Sequence, residues 1–346
     1  MVTEPKIKLM KNCSGIQVII FIGLFLTFSS CEDKNCGEDI DISSIEVNVT
    51  IDRSENEFFN LKTKEAVLEY LDNHKVLAEV FYQRSQYPHD SIVVNSLLKL
   101  AQNPSLDTVY KETQQVFGDM KDLKAEFEAA FKRVKYFYPD FEAPKIETTV
   151  TGFVNGSDLY MSDSLIIIGL DWYLGEQGTF RPNDVPQYIL ARMRKEYIVP
   201  SAIMFLSSKY ATVDGEDKTL LADMLFYGKA YEFTKTMMPC TADSLIAGYT
   251  QHDVDGINHN QERIWSYFID KSLLYDTNHF TKKKYVDERP SIPEIGDDCP
   301  GRVGRWLGWK IIQKYRKESG VAFTDLMKET DAKKIFMQSK YRPENH

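Results

Sequence analysis

The segment Pro300-Gly301-Arg302-Val303-Gly304-Arg305-Trp306-Leu307-Gly308-Trp309 decides the fold. Its glycines recur at near-helical spacing beside two tryptophans, which lets a second backbone approach closely while large rings fill the space around the contact. This pattern favours an internal helix packed tightly against the core. The alternative is a surface that docks a partner, because aromatic residues and arginines are enriched at interface hot spots. The sequence leaves both interpretations open.

Around this segment the apolar residues recur mostly at helical spacing. Helices are predicted over residues 62–82, 119–138, 186–208, 218–235, 261–275, 304–317 and 323–336. Runs rich in Thr, Val and Ile predict strands over residues 147–154 and 164–170, and Asn155-Gly156 between them predicts a turn. This order of elements indicates an α+β fold, mostly helical, with a small sheet and one main core.

Composition excludes one class of partner. The chain of 346 residues is 43% hydrophobic and 12% aromatic, enough to bury a large core. Its net charge is −9, and it becomes −11 once the first thirty residues, with three lysines and one glutamate, are removed. Nucleic-acid binding needs clustered Lys and Arg, so no nucleic-acid partner is expected. The short basic runs, Lys282-Lys283-Lys284 and Lys333-Lys334, are interpreted as solvated surface.

The N-terminus predicts export and lipid anchoring. Residues 1–30 form a signal peptide, in which a basic start is followed by an apolar stretch, residues 16–28, too short to span ~30 Å of hydrocarbon comfortably. Ser29-Ser30-Cys31 resembles the lipobox of bacterial lipoproteins, with Phe28 as a departure from the commoner Leu. Cys31 is therefore the predicted lipidation site, and the lipid bilayer the predicted partner. A membrane helix with an incidental cysteine is the disfavoured alternative.

After Cys31 the chain is polar and acidic. Residues 31–49 are predicted to be a tether, followed by a globular domain over residues 50–346. Either the outer membrane or the periplasm-facing inner membrane remains possible for the anchor. No C-x-x-C spacing occurs, which argues against a zinc ribbon or a redox motif. Cys240 and Cys299 could pair in an oxidising periplasm, but the sequence does not decide this.

Six segments, in order along the chain, resemble the gliding-motility lipoprotein GldB family of the Bacteroidetes. They are GLDWYLG at residues 169–175, YGKA at 227–230, GYT at 248–250, IWSYFI at 264–269, PGRVGRWLGW at 300–309 and SKYRP at 339–343. The resemblance implies a cell-envelope lipoprotein that works with other gliding and secretion proteins. It extends over nearly the whole chain from about residue 50.

That family is also distantly similar to gluzincin-type metallopeptidases, which implies a zincin-like domain. In those enzymes H-E-x-x-H supplies two zinc ligands and a general base, and E-G-x-A supplies a third ligand. Here the second motif reads Tyr227-Gly228-Lys229-Ala230, with a phenol in place of the carboxylate. The first motif aligns with residues 195–199, which keep only Glu196, or with residues 200–204, which keep nothing; Pro200 also disfavours a helical Val199. The resemblance thus predicts a pseudoenzyme with no catalytic residue, no metal ligand and no cofactor.

Other sites were weighed. His252 and His259 lie near Asp253, Asp255 and Glu262, but Gly256 comes two positions too early for an EF-hand, and surface loop histidines are the favoured interpretation. No nucleophile elbow, P-loop or dinucleotide-binding motif occurs. Two alternative functions remain: a metallopeptidase-like enzyme with unconventional ligands, and a surface lipoprotein that binds glycans or peptides.

Overall fold

The computed structural model describes residues 36, 40–153, 158–183 and 185–343. The α-helices, numbered along the chain, are α1 Ser54–Phe58, α2 Lys64–Asn73, α3 Lys75–Val80, α4 Asp90–Ala101, α5 Pro104–Phe117, α6 Lys121–Phe137, α7 Gln187–Leu190, α8 Ile198–Leu206, α9 Leu220–Met237, α10 Asp243–Ala247, α11 Gln251–His259, α12 Gln261–Asp270, α13 His279–Val286, α14 Val303–Ser319, α15 Phe323–Lys328 and α16 Ala332–Ser339. The strands are β1 Ile51–Arg53, β2 Lys145–Thr149, β3 Leu159–Met161 and β4 Leu165–Gly169. The predicted mostly helical α+β protein with a small sheet is confirmed.

The four strands form one mixed sheet in the order β1-β2-β4-β3. β1 and β2 pair in parallel, as do β2 and β4, whereas β3 is antiparallel to β4. The sequence pattern predicted β2 and β4 but not the two three-residue strands, β1 and β3. It also extended β2 to residue 154, although the strand ends at Thr149 and the Asp171 carboxylate accepts a hydrogen bond from the Thr151 amide at 2.9 Å. The predicted turn at Asn155-Gly156 lies outside the described residues.

The sheet separates two hydrophobic clusters. Ile166 and Ile168 of β4 point into the main core, while Ile167 between them points into a smaller cluster formed with helices α2 to α5. This alternation follows from the two-residue period of a strand. The expected single main core is accordingly accompanied by a second, smaller one on the other face.

Helices α9 and α14 touch through their backbones in the main core. A Cβ on Gly228 would lie 2.5 Å from the carbonyl carbon of Gly308, and one on Gly308 would overlap the carbonyl oxygen of Met224. Trp306 and Trp309, on the same helix, are 1% and 0% exposed. The internal interpretation of residues 300–309 is therefore confirmed.

Four predicted helices are interrupted. The segment 261–275 ends as α12 at Asp270 and continues as a 3₁₀ turn at Leu273–Tyr275, and the segment 323–336 divides into α15 and α16. The segment 62–82 breaks at His74, whose backbone leaves the helical region between α2 and α3. The segment 186–208 divides into α7 and α8, separated by a 3₁₀ turn at Lys195–Tyr197. The expectation that Pro200 keeps Val199 out of a helix was wrong. Pro200 lies in the first turn of α8, where its missing N–H removes no intrahelical hydrogen bond.

The break at His74 is anchored to the sheet. Its Nδ1 lies 2.7 Å from a carboxylate oxygen of Glu147 on β2, and its Nε2 lies 3.2 Å from Glu57. Burial alone would lower the pKa of His74, but hydrogen bonds to Glu147 and Glu57 and their charges outweigh burial and raise it to about 9. A protonated His74 therefore joins α1, the α2–α3 junction and the sheet.

The acidic segment after Cys31 is attached to the folded part. Cys36 forms a disulfide with Cys240, just after α9, with a Cα–Cα distance of 4.9 Å. Val49 is fully buried in the main core. Cys36 and Val49, two residues of the predicted tether, therefore contact the folded part.

The possible pairing of Cys240 with Cys299 does not occur. Cys299 is a free thiol, 8% exposed, and burial raises its pKa to about 12. Cys31 lies outside the described residues. In the part of the chain that the structure describes, none of the helices has the length and apolar character needed to cross a membrane.

Gly308→Ala is expected to destabilise the protein by at least about 2 kcal/mol, since the added methyl group meets backbone that cannot rotate away. Gly256→Ala is the matched control: it lies on α11 with nothing within 4 Å of the added Cβ, and it should be neutral or stabilising by up to about 1 kcal/mol. Urea unfolding measures both. Equal stability of the two variants would contradict the backbone contact.

His74→Gln is expected to remove a pH-dependent part of the stability. Because folding raises the pKa of His74 from 6.5 to about 9, its contribution is complete below pH 6.5 and is lost as the pH rises through 9. A shift of this size corresponds to roughly 3 kcal/mol. Free energies of unfolding between pH 6 and pH 10 should fall for the wild type and for exposed His89→Gln, but stay flatter for His74→Gln. Parallel curves for all three proteins would refute the assignment.

Candidate functional site

The residues that align with the third zinc-ligand motif serve packing. The ring of Tyr227 lies under the guanidinium of Arg305, with 3.9 Å between the guanidinium carbon and the ring centroid. Arg305 also donates a hydrogen bond to the carbonyl oxygen of Val286, at the end of α13. Gly228, the next residue of the motif, is the one that touches α14. Tyr227, the position where the gluzincin motif has a carboxylate, is thus part of a cation–π contact between α9 and α14.

Lys229 of the same motif is a buried ammonium held by carbonyl oxygens. Its side chain is buried, and its Nζ donates to the carbonyls of Thr212 at 3.0 Å, Met327 at 3.5 Å and Glu329. Burial lowers its pKa to about 8, against the smaller opposing charge of Glu329. Lys229 therefore connects α9 to the loops after α8 and α15.

Glu196, the single residue kept from the first zinc motif, lies exposed on the 3₁₀ turn before α8. Its neighbour is a second carboxylate, Glu126 of α6. Burial, followed by the charge of Glu196, raises the pKa of Glu126 to about 7. Glu126 can therefore take up a proton near neutral pH, but the side chains at the other positions of the zinc motifs offer no imidazole. The residues present do not fit a catalytic zinc ion.

The histidines near Asp253 do not form a cluster. His252 and His259 lie on α11, not on a loop as expected, and both are exposed. Asp253 is engaged at the start of this helix, where the Thr250 hydroxyl donates to its carboxylate at 2.7 Å in a capping box. Among the described residues, no group of three or more His, Cys, Asp or Glu side chains could hold a metal ion. The absence of a metal site remains a prediction for the whole chain.

A cavity of about 350 Å³ lies along the C-terminal half of α14 and differs in charge from the acidic chain around it. The described residues that line it are four cations and four neutral polar residues, with no carboxylate. They are Lys310, Lys314, Lys317 and Arg342, and Asn258, Gln261, Gln313 and Tyr341. This basic cavity is suited to an anion, because ammonium and guanidinium groups converge on it.

The floor and the rim of the basic cavity differ. At the floor, the ammonium of Lys310 lies over the rings of Trp306 and Trp309, at 4.4 and 5.0 Å from their centroids, and 3.5 Å from Asp243. At the rim, Lys317 and Arg342 are exposed, and no described residue forms an ion pair with either. The rim therefore carries positive charge that the described part of the protein does not neutralise.

This basic cavity was not predicted from the sequence. Part of its lining can be recognised in the sequence, because Lys310, Lys314 and Lys317 have the i, i+4, i+7 spacing of one helix face. Arg342 comes from the closing segment, which only the folded chain brings beside α14. Periodicity thus locates three of the cations but not the wall opposite them.

The described residues define a class, a mostly helical α+β protein with a small mixed sheet, a glycine-mediated helix pair and a basic cavity. Within it, the chain belongs to the gliding motility protein GldB family, whose model matches residues 35–343. No curated protein and no solved structure matches the chain. The resemblance noted in the sequence is confirmed for this family, and the match begins at residue 35, before the predicted domain boundary at residue 50.

Purified protein is expected to hold less than one zinc ion per chain after gentle dialysis, since the motif positions lack imidazole and carboxylate ligands. Glu196→Ala is expected to leave cellular function unchanged, like the control Glu262→Ala at another exposed carboxylate. It should also lower the pKa of Glu126, because a neighbouring negative charge is removed. Elemental analysis and NMR titration test this. Stoichiometric zinc, or a folded Glu196→Ala protein without function, would favour an enzyme.

Proposed function

We propose that this protein is a lipid-anchored, non-catalytic accessory component of the gliding motility apparatus and of the protein secretion machinery linked to it. The family match carries the proposal, since it covers residues 35–343, almost everything after the predicted signal peptide. The protein acts by binding, at the cell envelope, to the proteins that move or export surface adhesins.

The proposed anchor is the acylated Cys31. Its support is the basic start, the apolar stretch and Ser29-Ser30 directly before the cysteine. Each buried CH₂ of the acyl chains contributes roughly 0.8 kcal/mol, so two or three chains hold the protein permanently. A permanent anchor suits a component that must stay beside a membrane-bound machine.

The proposed loss of catalysis rests on side-chain chemistry. If the family descends from zincin-like peptidases, the segment that aligns with E-G-x-A now serves the fold, both at the ligand position, Tyr227, and at the variable position, Lys229. Tyr227 packs under Arg305, and Lys229 binds three carbonyl oxygens. At the aligned ligand positions, Lys195 and Val199 stand where imidazoles would bind Zn²⁺, and Tyr227 stands where a carboxylate would. We therefore assign a degenerate, zincin-like body that works as a binding protein.

Deletion of the gene is expected to abolish spreading on agar in a gliding host and to impair export of surface adhesins; in a non-motile host, the secretion defect is the readout. Wild type and Cys13→Ala, a control whose thiol lies within the predicted signal peptide, should both restore function and incorporate a clickable fatty acid. Cys31→Ala should do neither, because no other thiol stands at the lipobox.

Two results would contradict these expectations separately. Fatty-acid label on Cys31→Ala would refute the anchor. Normal motility and normal secretion in a clean deletion would refute the role and leave the anchor untouched.

A further inference from the structure

We propose that the basic cavity beside α14 binds the phosphate headgroup of an anionic phospholipid in the membrane that holds the protein. This inference rests on the proposed lipid anchor at Cys31. It adds a second, non-covalent membrane contact and fixes which face of the body meets the bilayer.

The disulfide shortens the connection between the lipid and the body. Cys36 is bonded to Cys240, so only five residues of chain lead from Cys31 to a fixed point on the surface. Fully extended, they span at most about 17 Å. A compact body of this length is roughly 50 Å across. The anchor can therefore reach the bilayer only if the face around Cys240 is turned toward it.

A short series of contacts leads from Cys240 to the basic cavity. The carbonyl oxygen of Thr241, the next residue, accepts a hydrogen bond from Lys235 at 2.8 Å. Lys235 pairs with Asp243 at 3.0 Å, and the other oxygen of Asp243 lies 3.5 Å from Lys310 in the cavity wall. The cavity and the disulfide thus belong to one face.

Electrostatics requires cations on this face. The exported chain carries a net charge of −11, and an anionic bilayer repels it within the Debye length of about 8 Å. Lys317 and Arg342 have no ion-pair partner among the described residues, and Lys314 shares Glu318 with Lys340. Each such cation near an anionic leaflet improves binding several-fold. The cavity offers the headgroup phosphate a local excess of positive charge, although the net charge of the chain is negative.

The volume also fits a headgroup. At about 350 Å³, the cavity lies in the range of small-molecule sites and exceeds what one water or one ion fills. Its neutral lining residues, Asn258, Gln261 and Gln313, can hydrogen-bond the glycerol hydroxyls or ester oxygens that accompany a phospholipid phosphate.

The test is flotation of the mature chain with Cys31→Ser, so that acylation does not mask the contact. Vesicles of phosphatidylcholine alone are compared with vesicles that also contain phosphatidylglycerol. We expect binding only to the second kind. The triple variant Lys314→Gln/Lys317→Gln/Arg342→Gln should weaken it at least about tenfold, while Lys314→Arg/Lys317→Arg/Arg342→Lys should retain it.

The matched control is Lys282→Gln/Lys283→Gln/Lys284→Gln, which removes the same charge from α13. Lys282 pairs with Asp223 in the first turn of α9, about 21 Å along that helix from its end near Cys240. This control should bind nearly as the wild type does. Equal losses in both glutamine variants would overturn the cavity in favour of general charge attraction.

A binding measurement with inorganic phosphate distinguishes a phospholipid headgroup from a soluble phosphate as the ligand. Binding of free phosphate without vesicle binding would overturn the lipid and leave a soluble anion. Absence of vesicle binding with normal fatty-acid labelling and normal motility would refute this inference alone. Vesicle binding without fatty-acid labelling of the wild type would refute the anchor alone.

Discussion

The backbone contact between α9 and α14 is the constraint on which the rest of the body depends. Two helices approach this closely only where neither carries a side chain, which Gly228 and Gly308 satisfy. The contact also fixes their register. Further along the same parallel pair, Trp309 donates to Glu232 at 2.9 Å, and Arg316 pairs with Glu232 at 3.1 Å. The cations that face the basic cavity thereby acquire a rigid support.

Buried charged side chains, together with apolar packing, join the elements of the fold. Lys229, Glu232 and His74 are each almost fully buried, and each contacts a group from a different element. Removing one partner of such a contact leaves a charge that burial penalises by about 3–5 kcal/mol. These positions are therefore tied to the architecture of the fold.

The sequence predicted the bounds of helices well where the local residue pattern alone determines the structure. The long helices α6, α9 and α14 were located within a few residues; α6 has the apolar spacing of an amphipathic helix, whereas α9 is apolar on nearly every side. The sequence did not predict the local structure where contacts with residues distant in the chain determine it. His74 breaks a helix because Glu147, 73 positions away, fixes its side chain. Strands of three residues are too short for an alternation of apolar and polar residues to be recognised. One of them, β3, lies between β2 and β4 in the chain, while β2 and β4 pair with each other in parallel.

The same distinction holds for the candidate site. The lysines of α14 were visible as a face, but the Arg342 side of the cavity depends on how the C-terminal segment folds back. The sequence left the cysteine pairing undecided, because the positions of cysteines along the chain do not show which of them lie close together in the fold. Of the two possible partners of Cys240, Cys299 is held in a buried pocket wall near Arg263, and Cys36 arrives from the opposite end of the chain.

That pairing also imposes an order on biogenesis. In a chain exported N-terminus first, as proposed, the thiols of Cys31 and Cys36 would emerge close together, and Cys240 would follow 204 positions after Cys36. Acylation of Cys31 in that interval would remove the nearest competing thiol, and burial of Cys299 removes the last one to emerge. With the proposed acylation, lipid attachment to Cys31 would precede formation of the Cys36–Cys240 disulfide, because Cys240 emerges later.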